Sequence, residues 1–278
     1  MSLAKFLLDF LAEENYFIEV LIVPGAPPKV RTKEGLIPLM DKPTTPDEVK
    51  GVLIYLRELA GKVGALGKRG VFTFAYRDLG RIRVIYGMQR NAYYLSLLRV
   101  PFNPPPPEEF FQNPAKFEKL AEVIYHERGK VYVVHGEDWF VNATLIGEIF
   151  NYILEKGGKV ILTVENPLAY MLKHKNGLAI QKELYEDVMQ PTAALEDVPL
   201  VIPDYVYIFD ALNIYQIEFG EIFRYIPRSV DVFLNFPMKG RIFVKSYLEK
   251  IGVEKAILLE TVMDTSTGLI DFNVASTG

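Results

Sequence analysis

Residue types that do chemistry directly are few in this chain, and they are scattered. There is no cysteine among the 278 residues, which removes disulfides, thiol nucleophiles and thiolate metal sites together. The three histidines, His126, His135 and His174, are too dispersed to form a paired metal motif on one helix. Two acids stand out by position. Glu165 follows the apolar run Val160–Val164, and Asp210 follows Val206–Phe209; acids at strand ends commonly serve as caps and turn formers. Arg81, Arg83 and Arg99 fall in or just beyond candidate strands, and Lys239-Gly240-Arg241 is a short basic stretch that reads as a turn.

The elements that must position these residues divide into two halves. Pro101-Phe102-Asn103 is followed by Pro104 to Pro107, and consecutive prolines favour extended geometry that cannot donate to a helix or a sheet ladder. The expected organisation is an N-terminal domain over 1–103, a Pro-rich linker over 104–114 and a second domain over 115–278. In the first half, strands are expected at 17–23, 29–39, 71–76, 81–88 and 93–98, with turns around Glu34-Gly35, Asp78-Leu79-Gly80 and Arg90-Asn91. Thr45-Pro46-Asp47-Glu48 carries a helix-start signal: a capping threonine, proline at the first helical position and glutamate three residues after the cap. Val52, Leu53, Leu56, Leu59 and Ala60 then share one helical face. In the second half, short apolar runs at 131–134, 160–164 and 206–209 alternate with helical spacing over 117–126 and 144–154. That alternation predicts an α/β domain with a largely parallel sheet.

Composition bounds the function classes. Half of the residues are hydrophobic and 24% are charged, with 31 basic against 35 acidic side chains for a net charge of −4. This lacks the basic footprint of a nucleic-acid binder. No run approaches the about 18 uninterrupted apolar residues of a membrane span. Leu3 to Leu11 is broken by Lys5 and Asp9 and lacks the flanks of a signal peptide. A cytoplasmic protein is expected.

A series of short motifs then falls in a fixed order. Gly25-Ala26-Pro27-Pro28-Lys29-Val30-Arg31, Thr45-Pro46-Asp47-Glu48-Val49, Gly80-Arg81-Ile82-Arg83-Val84, Gln89-Arg90 and Leu98-Arg99-Val100-Pro101 lie in the first half. Arg128-Gly129-Lys130-Val131-Tyr132-Val133-Val134-His135-Gly136, Ile161-Leu162-Thr163-Val164-Glu165-Asn166-Pro167, Lys173-His174-Lys175, Gln181-Lys182-Glu183 and Glu186-Asp187 lie in the second. Together, from Leu7 to about Asp187, they resemble the type IV pilus retraction (twitching-motility, PilT-type) ATPases of the secretion-ATPase superfamily. The resemblance implies an α/β chain: a small PAS-like α+β domain, then a RecA-like P-loop NTPase-type domain.

It also places the family's phosphate-binding Walker A loop at Gly136-Glu137-Asp138-Trp139-Phe140-Val141-Asn142-Ala143-Thr144. Such a loop wraps phosphate with backbone N–H groups and uses glycines, a lysine and a hydroxyl. Here Trp139 and Val141 stand at glycine positions, Asn142 at the lysine and Ala143 at the hydroxyl, with Thr144 one residue late. Gly136, Asn142, Ala143 and Thr144 are thus the remains of a cofactor site, and catalytic turnover is not expected. Glu165 matches the glutamate that polarises the attacking water in the family; its plainer reading is a solvated or capping residue. Asp210 sits where a Walker B acid belongs, or is a strand-end cap. Arg81, Arg83 and Arg99 match arginines that approach a neighbouring subunit's nucleotide, against a reading as strand-surface charges or interface ion pairs. Trp139 either packs into the vacated site or serves as an exposed contact anchor. No equivalent of the family's histidine segment is found, and Ser229 to Phe236 occupies its place.

The expected function is a pseudo-ATPase with a structural or regulatory role, with no cofactor, and with protein partners: copies of itself, or pilus or secretion motor components. The alternative is a divergent, weakly active nucleotide-binding ATPase that retains ATP or ADP binding. Beyond Asp187, over residues 188–278, the resemblance is faint.

Overall fold

The chain folds as two units, Met1–Phe102 and Asn103–Gly278. The computed structural model describes residues 2–13, 19–32, 35–77, 80–100, 102–184, 186–210, 223–264 and 266–277. Residues 17–18, Glu34, Asp78-Leu79 and Pro101, on which parts of the expected strands and turns fall, lie outside the described residues.

The first unit comprises α1 (Leu3–Glu13), β1 (Glu19–Ile22), β2 (Lys29–Thr32), β3 (Gly35–Pro38), α2 (Pro46–Leu59), β4 (Gly70–Ala75), β5 (Arg81–Gln89) and β6 (Ala92–Val100). Its six strands form an antiparallel sheet in the order β3-β2-β1-β6-β5-β4. The α2 start follows the sequence signal. The Thr45 hydroxyl accepts from Glu48 N at 3.2 Å, and the Glu48 carboxylate accepts from Thr45 N at 2.7 Å. This reciprocal box satisfies two donors that a helix start leaves open. Val49, Val52, Leu53 and Leu56 turn inward to join Leu7, Leu8 and Leu11 of α1 in the core, whereas Leu59 is exposed.

The second unit comprises α3 (Pro107–Phe110), α4 (Pro114–His126), β7 (Val131–His135), α5 (Trp139–Lys156), β8 (Val160–Asn166), β9 (Leu178–Glu183), α6 (Pro191–Leu195), α7 (Val198–Val201), β10 (Tyr205–Asp210), β11 (Asp231–Phe236), α8 (Arg241–Lys250), β12 (Ile257–Met263) and β13 (Ile270–Ser276). The sheet order is β13-β12-β7-β11-β10-β8-β9. Every neighbouring pair is parallel except β12 with the edge strand β13. β7, β10 and β11 are almost wholly buried, as expected of central strands in a parallel sheet. Parallel strands with helical crossovers also bring their C-terminal tips together at one end, where ligands of open α/β sheets bind.

Two expectations need correction. The stretch 104–114, read as a linker, is not a free spacer. Pro107–Phe110 is helical, and Phe111 is buried, stacked on Phe117 at 4.7 Å and bridged to Ile270. Burying an aromatic ring outweighs the preference of the preceding prolines for an extended, solvated chain. Helix α5 begins at Trp139, five residues before the expected Thr144, because Asp138 caps it: its carboxylate accepts from Phe140 N at 2.7 Å.

Candidate functional site: the tips of the parallel strands

Only Gly136, Glu137 and Asp138 separate β7 from α5. The loop expected over 136–144 is therefore a three-residue turn, and Asn142, Ala143 and Thr144 lie inside a helix, all three buried. Gly136 is required for space rather than for an unusual backbone angle. A Cβ there would meet Thr261 Oγ1 at 2.2 Å and Asn142 Oδ1 at 3.0 Å.

Asn142, at the position of the expected phosphate-binding lysine, points into the protein. Its Nδ2 donates to Asn235 Oδ1 at 2.9 Å and to the Phe236 carbonyl at 3.2 Å. Its Oδ1 accepts from the Thr261 hydroxyl at 2.6 Å. Asn235 in turn donates to the Trp139 carbonyl at 2.8 Å and to Tyr207 Oη at 3.3 Å. Thr144 donates to the Phe140 carbonyl at 2.8 Å, which leaves its oxygen to accept from Tyr170 Oη at 2.7 Å. The side chains of Asn142 and Thr144 are thus engaged within the chain. The α5 N-terminus also has a carboxylate of its own, Asp138, in the place where a helix favours an anion.

Bulk completes the corner. Trp139 is half-buried and stacks on Phe209 at the end of β10, with ring centroids 5.5 Å apart and planes 13° apart. Phe140 packs on Tyr170 at 5.4 Å. Trp139 thus takes the inward of its two expected roles. His135 is fully buried, and burial lowers its pKa. The basic stretch Lys239-Gly240-Arg241, expected as a turn, instead leads into α8: Gly240 is the N-cap and Arg241 the first helical residue, with Lys239 paired to Glu137 at 2.9 Å and Arg241 to Glu260 at 3.2 Å.

The second cluster lies at the tips of β8, β9 and β10. Glu165 is not solvated. It is buried, its Oε2 accepts from Ala169 N at 3.2 Å, and burial pushes its carboxyl up to about 7. Asp210 is fully buried and accepts from Asn166 Nδ2 at 3.0 Å. Beside Glu165 is a recess of about 10 Å³, lined in part by Thr163, Gln181, Tyr170 and Tyr207. That is the space a single water needs. Among the described residues no group of three or more acids and histidines has the geometry to hold a metal ion.

The three arginines lie in the first unit. Arg83 and Arg99 are only 6% and 7% exposed, so neither is a strand-surface charge. The register pairs Arg99 with Ile82, between Arg81 and Arg83. Side chains alternate along a strand and directly paired residues share a face, so Arg99 leaves the face opposite to that of Arg81 and Arg83.

Sequence reasoning missed Asn235 and Thr261. For Asn235 a signal was present: it is the one uncharged polar residue in the apolar run Val232–Phe236, and a buried amide in such a run needs partners. Thr261 carried no comparable signal.

The fold and site define the second unit as a RecA-like α/β unit, preceded here by an antiparallel α+β unit. No protein-family model matches the chain. It is 26% identical over 191 residues to the type IV pilus ATPase PilU of Pseudomonas aeruginosa, a match that covers 68% of this chain and 49% of PilU. The chain therefore spans about half the length of that curated relative. Among solved structures, the pilus retraction motor PilT with bound ADP shares its fold with a TM-score of 0.71 at 20% identity, covering 99% of this chain and 83% of PilT. The Legionella pneumophila ATPase DotB follows with a TM-score of 0.65 at 12% identity, covering 98% of this chain and 79% of DotB. The sequence match and the shared fold agree, and both are similarities to the PilT-type secretion ATPases.

Proposed function

We propose that this chain is a pseudo-ATPase of that family: a cytoplasmic, structural or regulatory protein that works by docking rather than by hydrolysis. One observation carries the reading. The amide of Asn142, where the expected site has a lysine, is fully engaged by Asn235, Phe236 and Thr261. An asparagine so held has no charge to offer a triphosphate, and the three-residue turn before α5 is too short to wrap one. The partners that fit are further copies of this chain or pilus and secretion motor components, with no nucleic acid and no resident cofactor. Among the described residues no helix is long and apolar enough to cross a membrane. Isothermal titration with Mg-ATP and Mg-ADP tests the reading. The expected result is no heat of binding, and micromolar affinity would overturn it.

A second reading has its own support. The Glu165 carboxyl, raised to about 7 and set beside a water-sized recess, has the character of a general base. A divergent ATPase using Glu165 and Asp210 would release phosphate slowly and lose that activity in Glu165→Gln. Equal, background-level rates in wild type and variant would end this alternative.

A further inference from the structure

Three strand tips and one helix start are joined by side chains that come from distant parts of the sequence. Asn142 is on α5, Asn235 on β11 and Thr261 on β12, and β7 runs between the last two. The Asn142 amide spends both protons on β11, on Asn235 Oδ1 and the Phe236 carbonyl, and takes one from Thr261 of β12. Asn235 spends both of its protons on the Trp139 carbonyl and Tyr207 Oη, which adds the first turn of α5 and β10 to the set. All of these side chains are buried. No member carries a charge that salt or pH would weaken.

We propose that Asn142, Asn235 and Thr261 form a built-in latch that holds the β7–α5 corner in a single conformation with no ligand present. The physical reason is the cost of opening. Moving the start of α5 away from β11 or β12 strands buried donors and acceptors away from water, and such groups are expensive when left unpaired. Gly136 belongs to the device, because any side chain there would strike the Thr261 hydroxyl. The latch deepens the function proposed above: a docking protein held in one form presents the same surface whatever the nucleotide level. It has readouts of its own.

Hydrogen exchange on the full chain tests it. In wild type, amides over 136–145 exchange slowly, at the same rate with and without millimolar Mg-ATP. Thr261→Val, which removes one donor at constant shape, speeds their exchange by about 10-fold, on the scale of one lost buried hydrogen bond. Asn235→Ala speeds it further, and Thr261→Ser, which keeps the hydroxyl, leaves it near wild type. Should Asn235→Ala fail to fold, the Val and Ser pair still decides the matter. Unprotected amides over 136–145 in wild type, or exchange unchanged in Thr261→Val, would overturn the latch while leaving the pseudo-ATPase reading intact. Extra protection on adding Mg-ATP to wild type would overturn the claim of a single ligand-independent form and that reading with it.

Discussion

The β7–α5 corner and the tips of β8 and β10 lie at the same end of one sheet, yet they are stabilised in different ways. At the corner, neutral amides and hydroxyls satisfy one another completely: Asn142, Asn235 and Thr261 bond in a buried network. At the other tips the buried groups include carboxyls, and Glu165 is pushed up to about 7 by that burial. The Asn142–Asn235–Thr261 network is built of neutral groups, and the other region holds a carboxyl that burial pushes up to about 7. The comparison teaches that two neighbouring corners of one sheet end can be built on different chemistry. The turn after β7 is packed as core, while the tips of β8 and β10 hold a buried acid with an altered pKa.

The largest expected effect comes from putting the missing charge back. Asn142→Lys would bury an unpaired ammonium among groups that already have partners, and should cost about 3–5 kcal/mol in stability, read as a fall in the urea midpoint. It should restore no phosphate release. A stable, nucleotide-binding Lys variant would break the comparison.

Next is the acid at the other tips. The Glu165 carboxyl binds its proton more tightly folded, at about 7, than at the ordinary value of 4.5. A folded-state pKa raised this way means that its contribution is fully present below pH 4.5 and is lost as pH rises towards 7. Wild-type stability should therefore fall over that window. Glu148, raised to about 8, and Asp231, raised to about 6, both also by burial, act with the same sign. Glu165→Gln should remove its own share, leaving the variant roughly 2–3 kcal/mol more stable than wild type at pH 8 and little changed at pH 4. Chemical denaturation at the two pH values checks this, and parallel pH profiles for wild type and variant would show that Glu165 is not perturbed.

A smaller effect is expected at Gly136. Its added Cβ in Gly136→Ala would press on the Thr261 hydroxyl at 2.2 Å, an overpacking cost of about 1–3 kcal/mol visible in the melting temperature. The smallest belongs to the cap. Asp138→Ala removes the acceptor for Phe140 N and should cost about 1 kcal/mol. This variant should still show no heat with inorganic phosphate, because Asn142 remains engaged.

Much of this could be read in the chain itself. The Thr45-Pro46-Asp47-Glu48 start of α2 lies within four consecutive residues, and a capping box uses nothing more distant. The apolar runs that became β7, β8 and β10 were visible because buried parallel strands need no alternation. The absence of a lysine from residues 136–144 is a fact of sequence. Other features were hidden. β12 and β13 fall in the stretch 188–278, where the family resemblance is faint, and α5 starts earlier than its spacing predicts because Asp138 supplies a cap where a loop is expected.

What the sequence determined by itself is that residues 136–144 hold no lysine and that buried strands alternate with helices in the second half, since both are written in short runs of neighbouring residues. What only the tertiary structure decided is what stands there instead. Asn142 meets Asn235 and Thr261 across 93 and 119 residues of chain, and nothing local to any of the three announces the other two. The parallel order β12-β7-β11 brings them together, and burial, by making an unpaired amide costly, settles them into one network.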